Sequence, residues 1–413
     1  MATEDARYRQ SSQYRLWSFS PSQLAAMREK ANSLARASIS ERLSMAPRSN
    51  SASAPTSNAN TPDADGASTL PEFLTPSEEA LLVTFYTSEL LRAGAHADMA
   101  DDIKATAAAF FRRFYITNSI MTYPPQEMLI VALFFGCKAE GSFPRITDFV
   151  KNFGRESPGE VLAGEFLLCQ GIRFAFDVKH PFRALRGAVM DLRRIGDIEP
   201  SRIDSAERRA REILCFSPLI TDAYFHYTPS QIMLAALSLA DRGLAERLIQ
   251  ETFHYVPPQP NSGAGTPMAT DTPPTHHHHA ADGNSSDMAT IIGPVIRDKV
   301  LGTVEACRDM LAKEPPERRE HWSSKVTYKA QLQPIRKKLN KCRDPDRWNL
   351  VELQRSRREQ VLNKAGGGGG SEDGGNGGGK DDDVFGGDVK RRKVAAAAAG
   401  KGGALDDPFG GVL

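Results

Sequence analysis

The chain has 413 residues with 52 Lys and Arg against 51 Asp and Glu, a net charge of +1, and 40% hydrophobic content. That length fits roughly two to three domains, and the charge balance argues against a protein that coats nucleic acid generally. The five cysteines, Cys137, Cys169, Cys215, Cys307 and Cys342, form no CxxC pair, so neither a zinc ribbon nor a redox motif is supported.

The opening MATEDARYRQ lacks an apolar signal core. No run approaches the ~18 apolar residues of a membrane span. A soluble intracellular protein is expected, with Cys137, Cys169 and Cys215 as buried free thiols. Ser20-Pro21-Ser22-Gln23 carries N-cap chemistry with proline at the first helical position, which predicts a helix to about Leu43. Its stripe of Leu24, Met27, Ala31 and Leu34 must find a partner. Residues 44–70, rich in Ser, Ala, Pro and Asn, read as a disordered insertion.

Thr75-Pro76-Ser77-Glu78 repeats the cap and opens a helix over about 76–93. Helical spacing predicts further helices at 98–115, 124–138 and 145–152, and Ser157-Pro158-Gly159-Glu160 caps a fifth running to about Gly171. Residues 124–138 are almost wholly apolar and so belong at the centre of a bundle. A second set is expected near 181–195, 201–216, 229–241, 243–251 and 288–313. It is interrupted by a Pro/Ser/Gly-rich insertion at 257–287 whose His276–His279 run reads as a solvated tract. Arg318–Lys364 holds 14 Lys and Arg against 5 Asp and Glu, with helix marked by Leu332, Ile335, Leu339, Leu350, Val351 and Leu353. A Gly-rich tail from Gly366 carries Lys390-Arg391-Arg392-Lys393, a candidate nuclear-import patch. Thr61, Thr266 and Thr272 precede prolines and are candidate phosphosites.

Ile116–Lys138 aligns with Ile220–Arg242 without a gap, at a constant offset of 104 residues. Ile116/Ile220, Thr117/Thr221, Tyr123/Tyr227, Pro125/Pro229, Ala132/Ala236 and Leu133/Leu237 are identical. One helical unit is used twice, and a pseudo-twofold pair of helical domains follows. No phosphate loop, GxSxG, HExxH or paired-acid motif is present. His180, His226 and His254 have no spaced partners and read as satisfied or solvent-facing. No catalytic residue, cofactor or metal site is expected, so a binding module is the natural reading.

Several stretches carry a family resemblance. They are Ser11-Ser12-Gln13-Tyr14-Arg15-Leu16-Trp17, Phe111-Arg112-Arg113-Phe114-Tyr115 with Asn118-Ser119-Ile120-Met121, and Arg155-Glu156-Ser157-Pro158. Sharpest is Thr221-Asp222-Ala223-Tyr224 followed by Tyr227-Thr228-Pro229-Ser230-Gln231-Ile232. Together they resemble the cyclins, and within them the cyclin H subfamily, over roughly residues 8–360 without the insertions. The resemblance implies an all-α fold of tandem five-helix cyclin boxes with extra N- and C-terminal helices. The division it implies is an N-terminal helix in 1–43, a first box at 71–178 and a second at 179–315. Basic C-terminal helices at 316–365 and a disordered tail at 366–413 complete it.

The resemblance also implies a regulatory subunit, with no chemistry of its own, that activates a cyclin-dependent kinase. The context is the CDK-activating kinase and the TFIIH kinase module, acting in the nucleus. Expected partners are the kinase catalytic subunit, a RING-finger assembly subunit and, through the complex, the TFIIH core. No membrane or small-molecule substrate is implied. Substrates reached through the kinase would be other kinases' activation loops and the RNA polymerase II C-terminal repeat. By this resemblance Lys138 and Glu165 hydrogen-bond the kinase backbone, and Phe135, Phe174 and Phe176 sit at apolar contacts, with core packing an open alternative for the three rings. Both charged groups are expected to be exposed before binding. The kinase ion pair needed for phosphoryl transfer would be favoured by preferential binding of the inward C-helix state. Where the family has K-x-[DE]-E this chain has Lys138-Ala139-Glu140-Gly141, so any contact made by the second acid is in doubt. The alternatives are a TFIIB-like DNA-contacting factor and a cyclin C-like Mediator kinase subunit.

Overall fold

A computed structural model describes residues 4–45, 70–253 and 285–366. The expectations for His254, His276–His279, Thr61, Thr266, Thr272, Lys390–Lys393 and most of the insertions and tail lie outside the described residues. Among the described residues every regular element is helical. Residues up to Asp344 form one compact unit, and Pro345 onward forms a second.

The first unit opens with α1 (Glu4–Gln10), α2 (Ser12–Trp17) and α3 (Pro21–Met45). A five-helix bundle follows: α4 (Pro76–His96), α5 (Asp101–Thr117), α6 (Pro125–Ala139), α7 (Ile146–Lys151) and α8 (Gly159–Gly171). Thr75 caps α4 through a reciprocal box with Glu78, which satisfies two otherwise orphaned amides. The apolar α6 packs against α4, α5 and α8 and so occupies the bundle centre. Gly171 permits close approach of α8 to α5, since a Cβ there would meet the Phe114 ring at 2.3 Å.

The second bundle comprises α9 (Pro181–Ile195), α10 (Pro200–Leu214), two single turns α11 (Ser217–Ile220) and α12 (Ala223–His226), α13 (Pro229–Ala240), α14 (Arg242–Thr252) and α15 (Ser285–Ala312). Here α13 is the central helix, touching α9, α10, α14 and α15. The repeat seen in the sequence is thus structural, because Pro125 and Pro229 both open the central helix of their bundle. The helix expected at 201–216 runs over Pro200–Leu214, and the two single turns, which were not expected, follow it.

The α3 helix lies on α5 and α4. Its buried line is Leu24, Ala31, Asn32, Ala35 and Ile39, whereas Leu34 is 51% exposed and Met27 half-buried. The expected stripe is therefore corrected: the helix is rotated so that Asn32 faces inward, donating to the Leu74 carbonyl at 2.8 Å. A C-terminal run closes the unit through α16 (Arg318–Ser323), α17 (Lys325–Thr327), a π-helical turn at Tyr328–Leu332 and α18 (Gln333–Cys342). The two ends of the unit meet where Arg42 pairs with Asp344. The Asp344 amide donates to the Met121 carbonyl at 2.9 Å.

The basic segment expected at 316–365 is divided between the two units. In the second unit α19 (Leu350–Gly366) is capped by Asn349, whose side chain accepts from the Val351 and Glu352 amides. Of the thiols expected to be buried, Cys137 is, while Cys169 and Cys215 are half-buried. Burial raises the Cys169 thiol to about 11 and the Cys215 thiol to about 12, so both remain protonated and poorly nucleophilic.

Candidate functional site

Lys138 lies one residue before the C-terminus of α6, and Glu165 in the middle of α8, so the packing of these two helices brings them together. Lys138 Nζ donates to Glu165 Oε1 at 2.6 Å and sits 4.6 Å from the Phe134 ring centroid. The side chains are 37% and 18% exposed respectively. The expectation that both groups are exposed before binding is corrected: each is partly covered, Glu165 more than Lys138, and each already holds the other. A charge-assisted pair of this kind retains unused acceptor and donor capacity toward a backbone brought against it.

An aromatic surface surrounds the pair. Phe174 is 55% exposed and Phe176 40% exposed. Phe135 is half-buried between Phe110 at 5.7 Å and Phe176 at 5.3 Å. On the outward face of α8, Phe166 and Leu162 are 59% and 46% exposed. The Phe166 and Phe174 centroids lie 6.3 Å apart, and those of Phe174 and Phe176 6.1 Å apart. A contiguous apolar patch rimmed by polar groups marks an interaction surface. Core packing accounts for Phe135 in part and not for Phe174 or Phe176. Phe166 and Leu162 carried a sequence signal of their own, because α8 is apolar on its outward side as well as its inward side.

The loop bearing Phe174 and Phe176 is held under strain. Arg173 and Phe174 adopt left-handed backbone conformations with φ of 55° and 53°, each costing on the order of 1–3 kcal/mol for a residue with a side chain. The surroundings fix them. Arg113, buried in α5, donates to the Ala175 carbonyl at 3.1 Å. Trp17, 1% exposed, has the guanidinium groups of Arg113 at 5.4 Å and Arg173 at 5.7 Å over its ring. Gln13 locks the segment after the loop, accepting from the Lys179 amide at 2.6 Å. The N-terminal motif therefore shapes the patch from behind. Gln13, Trp17 and Arg113 stand in the motifs, but this role leaves no local trace in the sequence, because their contacts span more than 60 positions.

Glu140, the acid that the altered motif keeps, is exposed and is tied to the body of the bundle through Thr106. Thr106 Oγ1 donates to its Oε1 at 2.5 Å and lies 2.7 Å from His180 Nε2, and His180 Nδ1 is 2.8 Å from the Tyr224 hydroxyl. With Thr106 donating, His180 carries its proton on Nε2 and accepts from Tyr224. Burial and the nearby Arg113 lower its pKa to about 3, which keeps the imidazole neutral. His226 Nδ1 donates to the Phe19 carbonyl at 2.8 Å. These two histidines are satisfied structural groups, as expected.

A third polar cluster joins α3 to both bundles. Asp222, in the turn before α12, accepts from Arg28 at 2.6 and 2.9 Å and from Arg112 at 2.6 Å. Arg112 also donates to the Ile220 carbonyl at 2.7 Å. Burial would raise the Asp222 carboxyl, but the two guanidinium groups hold it down to about 2. The cluster lines a cavity of about 110 Å³ shared with Glu79, Thr84 and Tyr115. Among the described residues no metal-holding group of His, Cys, Asp and Glu occurs.

Residues 180–312 match the family model of the cyclin C-terminal domain. The chain is 30% identical to cyclin mcs2 of Schizosaccharomyces pombe over 56% of its own length and 68% of the relative's. It is 30% identical to cyclin CCL1 of Saccharomyces cerevisiae over 61% of this chain and 62% of that one, so the chain spans just under two thirds of that relative. A solved structure of the CAK complex from Chaetomium thermophilum bound to ATP-γ-S contains a chain 66% identical, with a TM-score of 0.73, covering 91% of this chain and all of that one. With its paired five-helix bundles and its 30% identity over two thirds of a known cyclin, the chain belongs to the cyclin family, as a cyclin H-like member.

Proposed function

We propose that this chain is the regulatory subunit of a CDK-activating kinase and of the kinase module of TFIIH. It binds a cyclin-dependent kinase and performs no chemistry itself. The observation that carries this is the Lys138–Glu165 pair beside exposed Phe166 of α8 and exposed Phe174 and Phe176, the last two on a loop held in a strained shape by Arg113. Lys138 and Glu165 fix register by hydrogen bonds to kinase backbone, and the rings supply desolvated area. Residues 71–178 form the first cyclin box and 179–315 the second, a division supported by the two bundles and by the family match at 180–312. The kinase, a RING-finger assembly subunit and the TFIIH core are its partners. Its site of action is the nucleus, where the kinase reaches other kinases' activation loops and the polymerase C-terminal repeat. The chain's 66% identity to a subunit of a CAK complex supports these assignments.

The test is the Lys138→Ala/Glu165→Ala double variant, titrated against the purified kinase subunit. Truncating groups of a buried charged pair costs about 2–5 kcal/mol at an interface. A loss of roughly 30-fold or more in affinity is expected, with the thermal unfolding midpoint unchanged. Wild-type affinity in the double variant would remove the proposal's basis.

A further inference from the structure

The C-terminal run of the first unit carries six Lys or Arg side chains between Lys325 and Lys341, and they divide into two sets. Arg336 and Lys338 face the body. Arg336 donates to the Tyr328 hydroxyl at 2.5 Å and lies over the Tyr86 and Tyr328 rings, while Lys338 pairs with Glu72 at 2.6 Å and Glu78 at 3.0 Å. Lys325, Lys329, Lys337 and Lys341 are exposed, and none has an acidic partner among the described residues. With Gln333 they fall at a strict i, i+4 spacing over 325–341. In a pure α-helix such a series drifts around the axis by about 40° per step. The π-helical turn at Tyr328–Leu332 is wider and takes back part of that drift, which keeps the four ammonium groups on one ridge. Buried Leu332, Leu339 and Cys342 anchor the opposite side. The ridge runs for roughly 24 Å, about seven base-pair steps of a duplex.

We infer that this lysine ridge binds the phosphate backbone of double-stranded nucleic acid without regard to sequence. The chemistry selects this occupant. Lysine is a point-charge phosphate binder and is depleted at protein–protein interfaces. The ridge offers one exposed apolar side chain, Val326, so it lacks the aromatic or arginine anchors that carry protein recognition. It also lacks the aromatic platforms on which single-stranded bases stack. The surface is built on α17, the π-helical turn and α18, which rest on α4 through Tyr328–Phe85 and Lys338–Glu78, whereas the aromatic patch belongs to α6, α8 and the loop after α8.

The experiment is fluorescence anisotropy of the full chain with a labelled duplex of about 20 base pairs across a salt series. Lys390–Lys393 lie outside the described residues and could contribute charge, so all proteins carry Lys390→Ala, Arg391→Ala, Arg392→Ala and Lys393→Ala. Four phosphate contacts predict a slope of log affinity against log salt near −3.6, or about 150-fold weakening from 50 to 200 mM salt. Changing Lys325, Lys329, Lys337 and Lys341 to Gln should abolish that slope, the four Arg replacements should restore it, and kinase activation should be unaffected by either set. No duplex binding by the parent, or equal binding and slope in the Gln variant, overturns the inference. Displacement by polyglutamate as readily as by duplex of equal charge would reassign the ridge to an acidic protein and also overturn it.

Discussion

At the end of the first central helix stands Lys138, and at the matching place in the repeat stands Arg242. Lys138 faces Glu165 within a field of exposed rings, while Arg242 pairs with Glu246 at 2.7 Å and Glu305 at 3.6 Å and is 61% exposed. Over 140–178 the first bundle exposes Phe143, Leu162, Phe166, Phe174 and Phe176, whereas the described part of the second bundle exposes one large apolar side chain, Met190. The duplicated unit fixes how a central helix is started and buried. It does not fix what surrounds the far end of that helix, and the surroundings decide which bundle can bind a partner through apolar contact.

The contrast extends to the turn before the central helix. Asn118 satisfies itself locally, donating to the Phe114 carbonyl at 3.0 Å, whereas its counterpart Asp222 gathers Arg28 and Arg112 into a cluster spanning three elements. The largest expected effect lies here. Asp222→Ala strands two guanidinium groups, one of them buried, and should cost about 3–5 kcal/mol of stability. Asn118→Ala loses one local hydrogen bond and should cost about 1 kcal/mol. Denaturant titrations of the two variants measure the difference, and equal losses would show that the two turns play the same role.

Next in size is a pH effect that separates two carboxyls lining one cavity. Burial raises Glu79 to about 7, against hydrogen bonds from Ser119 and Asn32, because no cation stands beside it. Folded protein then holds a proton that unfolded protein has released between the ordinary glutamate value near 4.5 and about 7, so stability falls as pH rises through that window. Glu79→Gln should therefore stabilise by up to about 3 kcal/mol at pH 8, with the gain vanishing below pH 4.5. Asp222, lowered to about 2, works in the opposite direction: its contribution is complete above 3.8 and lost as pH falls toward 2. Melting curves from pH 2 to 8 for both variants test the signs.

The rings come third. Phe174→Ala with Phe176→Ala should weaken kinase binding by about 2 kcal/mol or more, the scale of interface anchors, while Met190→Ala leaves binding intact. Calorimetric titration against the kinase subunit compares them. Smallest of all, Arg242→Ala should change stability by under about 0.5 kcal/mol, as exposed ion pairs contribute little. A substantial loss of kinase affinity in Arg242→Ala would mean that both bundles carry a partner-binding helix end.

Much of this architecture was legible from local chemistry. Thr75, Glu78 and Pro76 announced the start of α4, and the apolar run 124–138 announced a central helix, because capping and periodicity act over a few residues. Lys138 and Glu165 were reached by resemblance, since nothing in their own neighbourhoods distinguishes them from surface charges. Trp17, Arg113 and Arg173 were illegible as a unit because a stack of groups far apart in sequence leaves no periodic trace. The rotation of α3 was missed because Asn32, polar on paper, turns inward to cap the Leu74 carbonyl.

The packing of Arg113 and Arg173 over Trp17 also sets a schedule for biosynthesis. Trp17 leaves the ribosome early, but its second cation is made about 150 residues later. At translation rates of roughly 5–20 residues per second, an indole buried in the finished protein is left without its full shelter for about 8–30 seconds. Over that interval the newborn chain offers a large apolar side chain to whatever chaperone waits at the exit tunnel. The surface beside Phe174 reaches its final shape only when the first helices synthesised fold back onto a loop made long after them.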